Sequence, residues 1–192
     1  FRHLNKRGHQ FRSDLRLSAV QQALQASYDI PIANVAQDKL SFTANVANED
    51  FGDITSINYG IGAVRDTAWS LGRKRAYINL ERETYDLGDD VGDRTATLLY
   101  PGYTVTLQKA DDLLNTRKGV SASLDVHGGS ESLASSVDFV QAKLTGNAVL
   151  PLTSKSRLLL RSQFGAIEVD DFDELPPSQR FFTGGDRTVR GY

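Results

Sequence analysis

The chain has 192 residues, no cysteine and a formal net charge of −2, which excludes disulfide and thiolate chemistry and offers no basic footprint for nucleic acid. Hydrophobic residues make up 40% of it, yet no stretch approaches the roughly twenty consecutive apolar residues that a membrane-crossing helix requires. The apolar side chains must therefore be distributed on a finer period.

That period is two. Alternation and turn residues predict nine strands, in chain order near 9–19, 21–31, 38–49, 54–66, 72–86, 93–109, 117–130, 136–152 and 155–168. In the third, Leu40, Phe42, Ala44 and Val46 alternate with Ser41, Thr43 and Asn45; in the fourth, Ile57, Tyr59, Ile61 and Ala63 alternate with Asn58, Gly60 and Gly62. Ala76, Ile78 and Leu80 then oppose Arg75, Asn79, Glu81 and Glu83, with Tyr77 on the polar side. Pro101-Gly102 predicts a bulge or kink in the sixth strand. Val120, Ala122, Leu124 and Val126 oppose Ser121, Ser123, Asp125 and His127, and Val140 to Leu150 repeat the pattern against Gln141, Lys143, Thr145 and Asn147. In the last strand Leu158, Leu160, Phe164 and Ala166 oppose Arg157, Arg161, Gln163 and Gly165, and Leu159 breaks the polar side.

Strands of globular sandwiches run to about five or six residues, whereas a tilted membrane strand needs about nine to eleven. The predicted runs match the longer class. Connections 50–53, 87–92 and 131–135 fall at one end, and 31–37, 67–71, 110–116 and 152–154 at the other. The expected fold is all-β: an antiparallel meander forming part of a transmembrane β-barrel, with Val126, Leu144 and Leu160 facing lipid and Asp125, Lys143 and Arg161 facing the lumen. Trp69, Tyr100, Tyr103 and Phe139 are candidates for the aromatic girdles of such a barrel.

Enzyme chemistry finds no foothold in these residues. His3, His9 and His127 lie far apart without metal-ligand spacing. Gly60-Ile61-Gly62 lacks the third glycine and the following helix of a dinucleotide fingerprint, and reads as small lumen-facing residues. Asp170, Asp171, Asp173 and Glu174 form an acidic cluster, read as a solvated loop base in preference to a calcium site. No Gly-x-Ser-x-Gly elbow occurs. No catalytic residue, cofactor or metal is expected.

The most specific feature is the last stretch, Arg180-Phe181-Phe182-Thr183-Gly184-Gly185-Asp186-Arg187-Thr188-Val189-Arg190-Gly191-Tyr192. Gly184 and Gly185 admit backbone angles closed to other residues, Gly191 permits a close approach of the backbone, and Arg190 offers a planar fork of donors to a carboxylate. This segment resembles the conserved loop of the outer-membrane assembly superfamily that includes BamA, TamA and the two-partner secretion transporters. The wording Phe-Phe-x-Gly-Gly-Asp-Arg-x-Val-Arg-Gly-Tyr is most similar to TamA, as are its lead-in Asp170-Asp171-Phe172-Asp173-Glu174 and Leu175-Pro176-Pro177-Ser178-Gln179-Arg180. Asn5-Lys6-Arg7-Gly8-His9-Gln10-Phe11 resembles the lead into an early barrel strand.

The resemblance implies that 1–192 is one partial barrel domain of a Gram-negative-type outer membrane. Residues 170–192 would begin the loop that folds into the lumen, with Gly184, Gly185, Asp186, Arg187, Val189, Arg190, Gly191 and Tyr192 as its functional residues. The nine strands would be the third to eleventh of about sixteen, a size within the range of such barrels. With no Met in the chain, the first two strands, the last five and any periplasmic repeats are expected outside it. The implied function is insertion or translocation of other outer-membrane or autotransporter proteins, with the bilayer, client proteins and a periplasm-spanning TamB-like protein as partners. A two-partner secretion transporter, a BamA-type insertase and a passive porin-like channel are the alternatives.

Overall fold

The computed structural model of the chain describes residues 5–32, 37–50, 55–88, 92–112, 116–153 and 156–181. Among these described residues nine strands form one antiparallel sheet in chain order: β1 (Gln10–Leu17), β2 (Gln21–Pro31), β3 (Asp38–Asp50), β4 (Thr55–Trp69), β5 (Gly72–Asp86), β6 (Arg94–Ala110), β7 (Gly119–Gly129), β8 (Phe139–Pro151) and β9 (Arg157–Val169). Each pairs with the next in an unbroken register. The fold is the all-β meander of a partial barrel, as the alternation implied.

The strand boundaries fall within two residues of expectation except at two places, which differ by three. β4 runs on past Asp66 to Trp69: Arg75 Nε on β5 donates to Asp66 Oδ1 at 2.9 Å, and Thr67, Ala68 and Trp69 continue the ladder opposite Lys74, Arg73 and Gly72. The ladder then closes at Trp69 opposite Gly72, where φ is 153° and a Cβ would strike the Thr106 carbonyl. β8 starts only at Phe139, because 130–138 folds as a connection around a 3-10 turn, Glu131–Leu133, with Ala134 left-handed at φ 73°.

That connection does the work of a strand. β7 pairs with β6 only from Gly102 to Ala110. Beyond that point Ser136 N donates to Thr97 O at 2.7 Å, while the Ser135 hydroxyl donates to Leu99 O at 2.9 Å and accepts from Leu99 N at 3.0 Å. Thr97 and Leu99 thus turn their backbone groups toward the β7 side, and by alternation so does Pro101. The proline, which lacks an N–H, sits where the β7 ladder ends, and β6 passes through Pro101-Gly102 with constant register against β5. The expected bulge does not form.

One face of the sheet is apolar and exposed: Phe42, Ile61, Ile78, Tyr103, Leu124, Val126, Leu144, Leu160 and Phe164 all lie there. The other carries Asn45, Asn79, Glu81, Asp125, Lys143 and Arg161. This is the reverse of a soluble sandwich, whose apolar face is covered. Gly60 and Gly62 lie on the polar face, where a Cβ would collide with Asn45 Oδ1 and Asn79 Oδ1 respectively. Trp69 and Tyr103 stand on the apolar face, with Lys74 Nζ 4.8 Å above the Trp69 ring. Tyr100 and Phe139 are corrections: both point to the polar face and are only 5% and 3% exposed, so neither belongs to a girdle. They join Leu98, Val137 and Leu175 in a small apolar cluster on the inner side of the sheet.

Candidate lumenal docking site

Leu175 belongs to no strand. After β9 the chain turns back, held first by Asp170 N on Asp138 O at 3.2 Å, then by Asp173 N on Asp171 Oδ1 at 2.9 Å and Leu175 N on Phe172 O at 3.3 Å. Pro176 and Pro177 pre-set the backbone for a 3-10 turn, Pro177–Gln179. The segment 170–181 so formed, here called the stem, lies on the polar face. Leu175 is 0% exposed, and Tyr85 donates its hydroxyl to Asp173 O at 3.1 Å. Arg180 folds back on the stem and donates to the carbonyls of Leu175, Phe172 and Asp173 at 2.8, 3.0 and 3.3 Å, with its guanidinium 4.6 Å above the Phe172 ring. The acidic cluster is therefore the base of a turn whose carbonyls are taken by an arginine.

Gln179 is the hub of the contact and is 8% exposed. Its backbone oxygen accepts from Gln141 Nε2 on β8 at 3.0 Å. Its Nε2 lies 3.2 Å from Glu81 Oε2 on β5 and 3.4 Å from the Tyr100 hydroxyl on β6, and its Oε1 lies 3.2 Å from His127 Nε2 on β7. β9 contributes Gly165, whose missing side chain leaves room for the Phe181 ring. Five consecutive strands thus hold one short segment. An unsatisfied buried donor or acceptor costs about 1–3 kcal/mol, so a residue that satisfies four such groups is a strong determinant of where the stem sits.

A second network supports the first. Asp125 accepts from Thr104 Oγ1 at 2.6 Å and from the Tyr77 hydroxyl at 3.0 Å, and its Oδ1 lies 2.8 Å from His127 Nδ1. Tyr77 reaches across β6 to do so, over Gly102, whose missing side chain leaves room for its ring. The Tyr100 hydroxyl donates to Glu81 Oε1 at 2.6 Å and accepts from Asn79 Nδ2 at 3.2 Å. Toward the sheet's first edge the polar face continues as an ion ladder. Arg12 pairs with Asp29, Lys39 Nζ lies 3.5 Å from Asp29 and 3.9 Å from Asp66, and Asp66 pairs with Arg75.

The sequence motif itself, Gly184, Gly185, Asp186, Arg187, Val189, Arg190, Gly191 and Tyr192, lies outside the described residues, as does His3. His9 is engaged with Tyr28, whose hydroxyl is 2.8 Å from its Nδ1. Sequence reading placed Asp125 and His127 on the polar face but did not bring them to Tyr77, Tyr100, Glu81 and Gln179. The available signal was Tyr77, an aromatic at a polar-parity position, which needs a partner for its hydroxyl.

A nine-stranded meander of long strands, apolar outside and polar inside, with a returning segment on the inner face, is the geometry of a transmembrane barrel with an internal loop. A family profile described as the Omp85 superfamily domain matches residues 4–192, nearly the whole chain, and the chain belongs to the Omp85 superfamily.

Proposed function

We propose that this chain is the barrel part of a TamA-type translocation and assembly protein of the outer membrane, which helps other outer-membrane proteins or autotransporters to insert or cross. Omp85 proteins are outer-membrane insertion and secretion proteins, and the finer assignment rests on the motif wording in 170–192. The observation that supports the reading is the stem: Leu175 and Gln179 dock on the inner face of the sheet, immediately before the motif in the chain. A passive channel has no need of a segment that occupies its lumen. The partners of this function are the lipid bilayer, client proteins and a periplasm-spanning TamB-like protein.

In this reading 1–192 is one barrel domain and 170–192 its lumenal loop. Arg190 pairs with an acidic residue on a later strand of the barrel, outside these 192 residues, because a guanidinium brought into a confined lumen is tolerated only when a partner offsets its desolvation. Lys is a poor substitute, lacking the planar fork. In the full-length protein Arg190→Ala and Gly191→Val are expected to lower barrel stability or client insertion, and Arg187→Ala to matter less. Heat-modifiable gel mobility and a client-insertion assay read the result. Wild-type behaviour of both Arg190→Ala and Gly191→Val would remove the residue-level basis of the proposal.

A further inference from the structure

The connections at the two ends of the sheet differ in charge. Beside the β3–β4, β5–β6 and β7–β8 connections and the end of β9 lie Asp50, Asp86, Asp93, Glu131, Asp138 and Asp170. At the opposite end the chain sets an apolar residue ahead of cations: Leu71 before Arg73-Lys74 in β4–β5, and Leu114 before Arg117-Lys118 in β6–β7. The β8–β9 connection repeats this with Leu152 before Lys155; Leu114 and Lys155 are outside the described residues and are read from the sequence alone. Leu71 and Leu152 are 53% and 65% exposed, at turns where water alone would select polar residues.

Two of the cations stand on the lipid-facing side. Lys74 lies opposite Thr67 and Val105, and Lys109 opposite Val120, so both share the face of Tyr103, Leu107 and Leu124. Both are close to the sheet's end, and Lys118 directly precedes β7. The β4–β5 connection is only Ser70 and Leu71, too short to lift Lys74 clear of a bilayer. Its stem can lie along apolar surface while the ammonium rises to headgroup depth. The Trp69 ring, 4.8 Å below Lys74 Nζ, is of the type that settles at a membrane interface. Carboxylates at this end are engaged elsewhere: Asp38 with Arg65, Asp66 with Lys39 and Arg75, and Asp111 with the backbone N–H groups of Arg117 and Lys118. None of these three neutralises Lys74 or Lys109.

We propose that this end of the barrel wall binds anionic phospholipid: Leu71 and Leu152 enter the lipid interface, and Lys74, Lys109 and Lys118 hold headgroup phosphates. The ligand class is a glycerophospholipid of net negative charge, because cations beside a membrane surface draw anionic lipid, whereas a zwitterionic headgroup brings its own ammonium. The carboxylates at the other end repel the same headgroups, so the preference belongs to one end of the sheet. It concerns the membrane around the barrel and not the assembly role, and it stands or falls apart from the TamA-type reading.

The test uses full-length protein in phosphatidylcholine vesicles that hold a minor fraction of phosphatidylglycerol, with a fluorophore on Leu107→Cys as the only cysteine. Leu107 is 42% exposed on the outer face, between Lys74 and Lys109. Quenching by phosphatidylglycerol brominated near its headgroup, against phosphatidylcholine brominated alike at the same mole fraction, reads the local lipid. Phosphatidylglycerol is expected to quench several-fold more strongly, since each cation at an anionic surface is worth about a fivefold change in local binding. Added salt should shrink that excess. The triple variant Lys74→Gln, Lys109→Gln, Lys118→Gln, confirmed as a folded barrel by heat-modifiable mobility, is expected to equalise the two quenchers. The same fluorophore on Val140→Cys, on the outer face opposite Glu168 at the acidic end, should show no excess even with all three lysines present. Equal quenching at Leu107, an excess that survives the triple substitution, or the same excess at Val140 overturns the proposal. Weak quenching by both lipids at Leu107 would mean that a protein surface covers this end, and it overturns the proposal as well.

Discussion

Arg180 shows how one side chain decides the shape of a loop base. Its three hydrogen bonds go to carbonyls within eight residues, and its ring contact to Phe172 closes the turn from outside. Arg180→Ala should loosen the stem by about 1–2 kcal/mol, the lower part of the range for hydrogen bonds from a charged donor, because part of the group is exposed. Faster maleimide labelling of a cysteine at Ser178 in the full-length protein would register that loosening; an unchanged rate would mean that Leu175 and Gln179 suffice. Gly165 works by absence. A Cβ there would lie 2.7 Å from the Phe181 ring, so Gly165→Val should lift Phe181 from β9 and raise the same labelling rate without disturbing the β8–β9 ladder.

Among the elements, the β6–β7 turn is organised by a carboxylate. Asp111 Oδ1 accepts from Lys118 N and Arg117 N at 3.1 Å and from Asp112 N at 3.0 Å, and Asp111 N donates to Lys118 O at 3.0 Å. The backbone donors, Lys118 first, hold its carboxyl below the usual value of 3.8. A depressed carboxylate stabilises the turn fully above its unfolded value and loses that stabilisation as pH falls through the folded one. The turn should therefore stay ordered at neutral pH and loosen only below about pH 4, with the Lys118 amide losing exchange protection there; Asp111→Ala should show that loss already at neutral pH. The strands themselves carry a face code. Leu144→Arg, on the apolar face of β8, should cost about 2–4 kcal/mol near mid-membrane, whereas Lys143→Arg on the inner face should cost far less. Refolding titrations into bilayers measure the difference. Cysteines at Val126, Leu144 and Leu160 that label strongly from water, with none at Asp125, Lys143 and Arg161, would reverse the register.

As a whole, the molecule is a sheet with its apolar side outward. Among the described residues β1 and β9 each have one unpaired edge, and lipid offers nothing to satisfy their backbone groups. The 192-residue chain expressed alone should aggregate in detergent-free buffer. A monodisperse, cooperatively unfolding product would mean that Leu144, Leu160 and Phe164 pack against a soluble partner surface, and the membrane reading would fall.

Nearly every strand was legible in the sequence, because a face that meets lipid and a face that meets water impose alternation on the residues themselves: Leu40 to Val46 and Val140 to Leu150 state their sidedness without reference to any neighbour. The misplaced details share one cause. Pro101-Gly102 suggests a bulge or kink where the register shows no bulge, and Tyr100 and Phe139 look like girdle candidates, since a local pattern does not reveal that the 130–138 connection takes over pairing with β6 or that Leu175 packs with those rings. The loop motif was visible as letters, but its stem's anchor was not. Gln179 meets Glu81, Tyr100, His127 and Gln141 across separations of 38 to 98 residues, and contacts that distant arise only when four strands are brought around one point.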